Sequence, residues 1–289
     1  VTDKPDIDYR IIAQHVEQVA LAISNGIDRA GKPRLAAGHA ALPGIVLLTT
    51  KVVSATFSAI LFLARASRAQ DATLSLSIPP LTRTIVDSLI TLVFLLDAPC
   101  ERTKWFLEAQ WKESFDQHAR LSEHYGNDDS YRTTLNDLED YVASWKSDVP
   151  PDVLAEPSKA RRWPQPGRIF KLRESVQSSE ARALLEHLVV WHYDDLSKAS
   201  HVTPQGLALR GGPLSALMGN DRRSEVLDGL TGTFFVSALG LYLATLSEVA
   251  AATALTETYN TLHILWQYLS PVREAARLYE MRYRKLLRS

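Results

Sequence analysis

The sequence predicts an all-α protein, and three observations carry that expectation. Apolar residues recur at helical spacing through several long segments. Only 13 glycines occur in 289 residues, below the roughly 7% usual in proteins. No alternating apolar–polar run flanked by turn residues marks a strand. The expected architecture is a single large bundle of about eight to ten helices.

The first helix is expected from about Asp8, a residue suited to the N-cap, to near Ala30, ahead of Gly31 and Pro33. Lys32 to Gly44 reads as a loop, and Ile45 to Ala69 as the second helix. A third should run from about Leu81 to Leu96, with Pro79 and Pro80 where a first turn tolerates them. Asp97-Ala98-Pro99 stops it, and a polar amphipathic helix extends from Glu101 to Tyr125. Tyr131, Leu135, Leu138, Val142 and Trp145 step by fours and threes along one face of the next. Residues 149–167 carry five prolines and read as an excursion across the surface, pinned by Trp163. Arg168–Val176 reads as a short helix, Ser179–Ser200 as a longer one and Gln205–Asn220 as a loop. A long helix from Ser224 to Leu255 precedes a last pair divided at Pro271. The domain reading is therefore an all-helical body over residues 1–270, with a basic helix over 271–289 after it.

Composition excludes several classes. Hydrophobic residues make up 46% and charged residues 22%, and 32 basic side chains stand against 33 acidic ones. No global field draws the chain to nucleic acid or membrane. One cysteine, Cys100, forms no internal disulfide and builds no thiolate metal cage. The stretch from Val1 to Asp8 is acidic and shows no leader pattern, so a cytoplasmic location is expected. Ile45–Ala64 and Leu230–Leu246 invite comparison with membrane spans. Lys51 interrupts the first, while Thr231, Gly232, Thr233, Ser237 and Gly240 break the second. Burial in a soluble core, with no membrane contact, is the expectation for both.

Residues 271–289 hold Arg273, Arg277, Arg282, Arg284, Lys285 and Arg288 against Glu274 and Glu280. Such a segment offers RNA a surface, although a solvated helix with i,i+4 pairs explains it as well. There is no Gly-rich phosphate loop, no zinc-protease motif, no Glu-x-x-His pair and no nucleophile elbow. Glu186, His187, His192, Asp194, Asp195 and His201 look like metal ligands at first sight. However, His187, Asp194 and His201 fall seven residues apart, about 10 Å along a helix, too far to share one ion. No metal or cofactor is expected.

Two polar stripes stand out on otherwise apolar helices. Arg83 and Asp87 are four residues apart, the spacing at which they can pair, and a charge in such a setting is costly without a partner. Tyr193, Ser197 and His201 advance only about 40° per step along a second helix. His201 lies near the expected helix end, where the dipole favours a protonated imidazole. Three readings of these residues compete. They form a buried network fixing helix packing, a ligand or phosphate site built from Arg83, Tyr193 and His201, or a catalytic site. In the last, His201 is the general acid–base, Arg83 stabilises charge, and Tyr193 and Ser197 orient.

Arg-x-x-x-Asp opening an apolar helix, Trp163-Pro164, and Tyr-x-x-Leu-Ser-x-x-x-His from Tyr193 to His201 resemble an uncharacterised bacterial all-helical family. The resemblance covers roughly residues 45–255, with Asp87 where Glu is commoner. It implies an intracellular bacterial helical protein and supplies no reaction, cofactor or substrate. A weaker resemblance is to the HEPN ribonucleases, which use Arg-x4-His without a metal, usually as dimers. The spacing occurs at Arg10–His15, Arg34–His39 and Arg182–His187. Only the last lies deep in a long expected helix, and it has Ala183 where that family favours a polar residue. The leading expectation is a protein that binds a ligand or partner through a polar pocket around Arg83 and His201. The alternatives are a metal-independent HEPN-like ribonuclease acting on RNA, with a homodimer as its expected form, and a non-catalytic assembly module.

Overall fold

The computed structural model describes residues 9–69, 72–200 and 223–288. Among them there is no strand, and the α-helices of five residues or more number twelve, a few above the expected range. They are α1 (Tyr9–Gly26), α2 (Lys32–Gly38), α3 (Leu42–Ala69), α4 (Ile78–Asp97), α5 (Pro99–Tyr125), α6 (Arg132–Ser144), α7 (Pro151–Ala155), α8 (Ser179–Leu188), α9 (Asp194–Ser200), α10 (Arg223–Thr253), α11 (Tyr259–Tyr268) and α12 (Arg273–Leu278). Short 3₁₀ and π turns link them.

The chain folds into two compact units, residues 1–97 with 166–289, and residues 98–165. The first is organised around α3, α4 and α10, which pack on one another. α4 is apolar on most of its circumference and buries Ile85, Val86, Leu89, Ile90, Val93 and Phe94, the pattern of a central helix. α10 buries Leu239, Tyr242, Leu243, Leu246 and Val249. Its polar Thr245 and Ser247 bond back to the carbonyls of Leu241 and Leu243 at 3.0 and 2.7 Å, so their burial leaves no hydroxyl unsatisfied. Phe57 of α3 stacks on Tyr242 at 4.6 Å between centroids, and Tyr242 donates to Ser54 Oγ at 2.8 Å. These contacts fix the register of α3 against α10.

Residues 32–44 differ from the loop expected there. A π turn (Ile27–Gly31) leads into α2, whose Pro33 occupies the first turn, where a missing N–H costs nothing. Gly31 makes this possible. A Cβ at that position would lie 2.7 Å from Thr253 Cβ of α10, closer than real side chains approach.

Three stretches, Leu42–Ser67, Leu74–Asp97 and Gly232–Thr253, are long and apolar enough to cross a membrane by length and composition. They are not equally covered. The α10 stretch is 83% buried and the α4 stretch 61%, as expected of core helices, but the α3 stretch is only 33% buried. One side of α3 is bare.

The carboxy-terminal segment is not set apart at Pro271. It belongs to the first unit, where Ala275, Leu278, Tyr283 and Leu287 are buried. Three of its six basic side chains are engaged in ion pairs: Arg282 with Glu248, Arg284 with Glu280 and Lys285 with Glu180.

The second unit is small and rich in aromatic residues. Trp111 of α5 packs with Val142, Val149 and Val153, with Phe115, Trp145 and Leu154 around them. The proline-rich stretch is held to α5 and forms α7 and a 3₁₀ turn, Pro157–Lys159. Trp163 sits edge-on to Trp105 and Phe106, at centroid distances of 5.3 and 5.1 Å. Trp105 Nε1 donates to the Arg162 carbonyl at 3.2 Å, and the buried Glu108 carboxylate accepts from Arg161. Trp163 therefore does pin its segment.

Candidate functional site

The helix expected over residues 179–200 is broken into α8, a π turn (Val189–Tyr193) and α9. A π turn inserts one residue into the helical repeat and so rotates the next stretch of helix about its axis. Such turns concentrate at functional sites. Here the turn ends at Tyr193, and α9 packs against α4.

That placement brings two of the sequence-predicted residues together. Arg83 of α4 donates from Nη2 to the Tyr193 hydroxyl at 3.2 Å, and its guanidinium lies 4.9 Å from the Tyr193 ring centroid. Its Nε donates to Asp87 Oδ2 at 3.5 Å, the i,i+4 pair anticipated from spacing. The Arg83 side chain keeps 19% of its surface exposed. Asp87 Oδ1 is buried and accepts no hydrogen bond. Burial raises the Asp87 carboxyl above its ordinary range, against the pull of the Arg83 charge. Ser197 is half-buried on α9. His201, the proposed acid–base, lies outside the described residues.

Gly167, which sequence reasoning passed over, completes the setting of Tyr193. A Cβ there would meet the ring Cε1 at 3.3 Å. The adjacent Pro164 and Pro166 were legible as part of a surface excursion, but they gave no hint of what the glycine would face. Trp163 belongs to the other compact unit.

The Arg182–His187 pair is turned apart. Arg182 points back along the chain, donating from Nη2 to the Val176 carbonyl at 2.9 Å, with Glu174 3.7 Å from Nη1. The His187 side chain is only 2% exposed and lies 3.9 Å from Glu274 Oε2. Neither of its ring nitrogens makes a hydrogen bond. Burial lowers its pKa, with the Arg277 charge adding to the effect and Glu274 opposing it. The π turn also brings His192 against it, edge to face at 5.7 Å. Five residues apart on an α-helix would put those rings about 140° from each other. The pair therefore presents no common solvent-facing surface within the chain. Among the described residues, no group of three or more His, Cys, Asp or Glu side chains is placed to hold a metal.

Comparison with known proteins returns no match among curated proteins and none among solved structures. A family model does match, over residues 45–213. That stretch is more than half of the chain and includes Arg83, Asp87, Tyr193 and Ser197. The chain belongs to the family of unknown function DUF5677.

Proposed function

We propose that this protein binds a small ligand carrying a phosphate or carboxylate group at the polar stripe formed by Arg83, Asp87, Tyr193 and Ser197. The observation that carries the reading is the way Arg83 is held. Asp87 engages Nε, the Tyr193 hydroxyl accepts from Nη2, the guanidinium lies over the Tyr193 ring, and the side chain keeps 19% of its surface exposed. An arginine oriented from two sides loses little freedom on meeting an anion, and its planar fork suits phosphate and carboxylate oxygens. The Tyr193 hydroxyl supplies a neutral donor beside it, and Ser197, half-buried, follows Tyr193 by one helical turn.

The test is thermal unfolding in inorganic phosphate and in a nucleoside monophosphate, against chloride at matched ionic strength. Wild type should gain about 1.4 kcal/mol at ten times the dissociation constant. Arg83→Gln should abolish that gain and Tyr193→Phe should reduce it. A gain of the same size in Arg83→Gln, or none in wild type, sinks the reading and leaves the stripe as a packing network.

A further inference from the structure

The bare side of α3 has an internal order. Gly44, Leu48, Lys51, Val52, Ala55, Ser58, Ala59, Phe62 and Arg65 are all exposed, and at about 100° per residue they fall within one arc of roughly 140°. Leu48 is 64% and Phe62 68% exposed, against the usual burial of such side chains. Within the arc, Lys51, Ser58 and Arg65 recur at seven-residue steps along one edge, and Leu48, Val52, Ala55, Ala59 and Phe62 form a ribbon beside it. Edge and ribbon each run about 21 Å along the helix. No acidic residue occurs anywhere between 42 and 69. Among the described residues, no carboxylate pairs with Lys51 or Arg65.

We propose that this face docks on an anionic membrane surface, with the ribbon entering the boundary of the acyl chains and the basic edge lying among the headgroups. Charge decides the occupant. A second copy would bring another α3 carrying the same cations and no carboxylate, so neither a parallel nor an antiparallel pairing of these helices neutralises the edge. Anionic lipid does so along its whole length. An apolar ribbon flanked by basic residues is how a helix lies in the plane of an interface, its Lys and Arg stems lying over apolar surface while their heads reach the phosphates. The rest of α3 buries Val46, Val53, Phe57 and Ile60 in the core, so the helix rests on the surface as part of the folded unit.

The experiment is co-sedimentation of the full chain with phosphatidylcholine vesicles, with and without phosphatidylglycerol, at low and high salt. Wild type should bind the anionic vesicles, bind neutral ones far less, and be released by salt. Lys51→Gln with Arg65→Gln should partition roughly thirtyfold more weakly, the loss expected for two basic residues at an anionic surface. Leu48→Ser with Phe62→Ser should weaken binding while the circular dichroism and melting temperature stay at wild-type values, since both side chains already face water. Equal binding to neutral and anionic vesicles overturns the proposal, as does no binding. So does a dimer in solution that the Leu48/Phe62 variant dissociates, because the ribbon then belongs to a second copy.

Discussion

Glu248 and Arg282 form a doubly hydrogen-bonded ion pair inside the first unit, with side chains only 3% and 13% exposed. Arg282 Nη2 donates to Glu248 Oε2 at 2.8 Å and its Nε to the other oxygen. The pair ties the turn after α12 to the last turns of α10. Removing one partner leaves a buried charge with nothing to neutralise it. Glu248→Ala should therefore cost about 3–5 kcal/mol, read from urea unfolding. Lys285→Ala, which removes a pair at the surface, should change the midpoint little. Equal effects of the two variants would show that the buried pair has no special role.

His192 should make stability fall in acid. Its imidazole is pushed down to about 4, first by burial and then by the neighbouring His187, with Asp195 acting the other way. The folded protein thus favours neutral His192, whereas the unfolded chain takes up a proton near 6.5. The stabilising contribution is complete above the unfolded value and is lost as pH falls from 6.5 towards 4. It amounts to about 3 kcal/mol over that window. Because carboxylates also titrate there, the informative quantity is wild type minus His192→Gln. That difference should be flat above pH 7 and should shrink below 6.5. A pH-independent difference would contradict the buried neutral imidazole.

The helices and their central packing were legible because apolar periodicity reports burial directly. α10 read as a core element from its residues alone, as did α3, only part of which is buried, and Arg83–Asp87 read as a pair from i,i+4 spacing. The features that escaped depend on contacts distant in sequence. Glu248 stands in an apolar run and so requires a cation, but nothing local selects Arg282 among the basic residues of the last segment. That segment consequently read as a solvated appendage. The π turn at 189–193 escaped for another reason. A one-residue insertion leaves composition unchanged, and an ordinary helical pattern accounts for Ser179–Ser200 equally well. Exposure on α3 escaped too, since an apolar stripe predicts burial without saying against what.

The end of α10 offers a stabilising substitution. Ala254 adopts φ 54°, the left-handed conformation, while the Leu255 N–H bonds to the Ala250 carbonyl at 3.0 Å. This is the helix stop in which glycine usually supplies the left-handed residue. An alanine there carries a steric penalty of about 1 kcal/mol. Ala254→Gly should recover about that much, raising the melting temperature by about 2–4 °C. Ala254→Val should lower it, because a β-branched side chain tolerates this conformation least. A glycine variant less stable than wild type would mean that chain entropy outweighs the relieved strain.

Gly167 and Tyr193 should prove coupled. With the ring Cε1 3.3 Å from where a Cβ would stand, Gly167→Ala must displace the ring by a few tenths of an ångström or push its own backbone away. The ring is the surface on which the Arg83 guanidinium lies. Stability alone is a poor reporter, since an added methyl also reduces the freedom of the unfolded chain by a comparable amount. A double-mutant cycle with Tyr193→Leu separates the two effects, because the chain term is common to both backgrounds and the clash is not. Gly167→Ala should be less favourable beside Tyr193 than beside leucine by about 0.5–1 kcal/mol. In the wild-type background it should also weaken the phosphate-dependent gain in stability that depends on Arg83. Additive effects with an unchanged response to phosphate would show that Gly167 does not set the position of the ring.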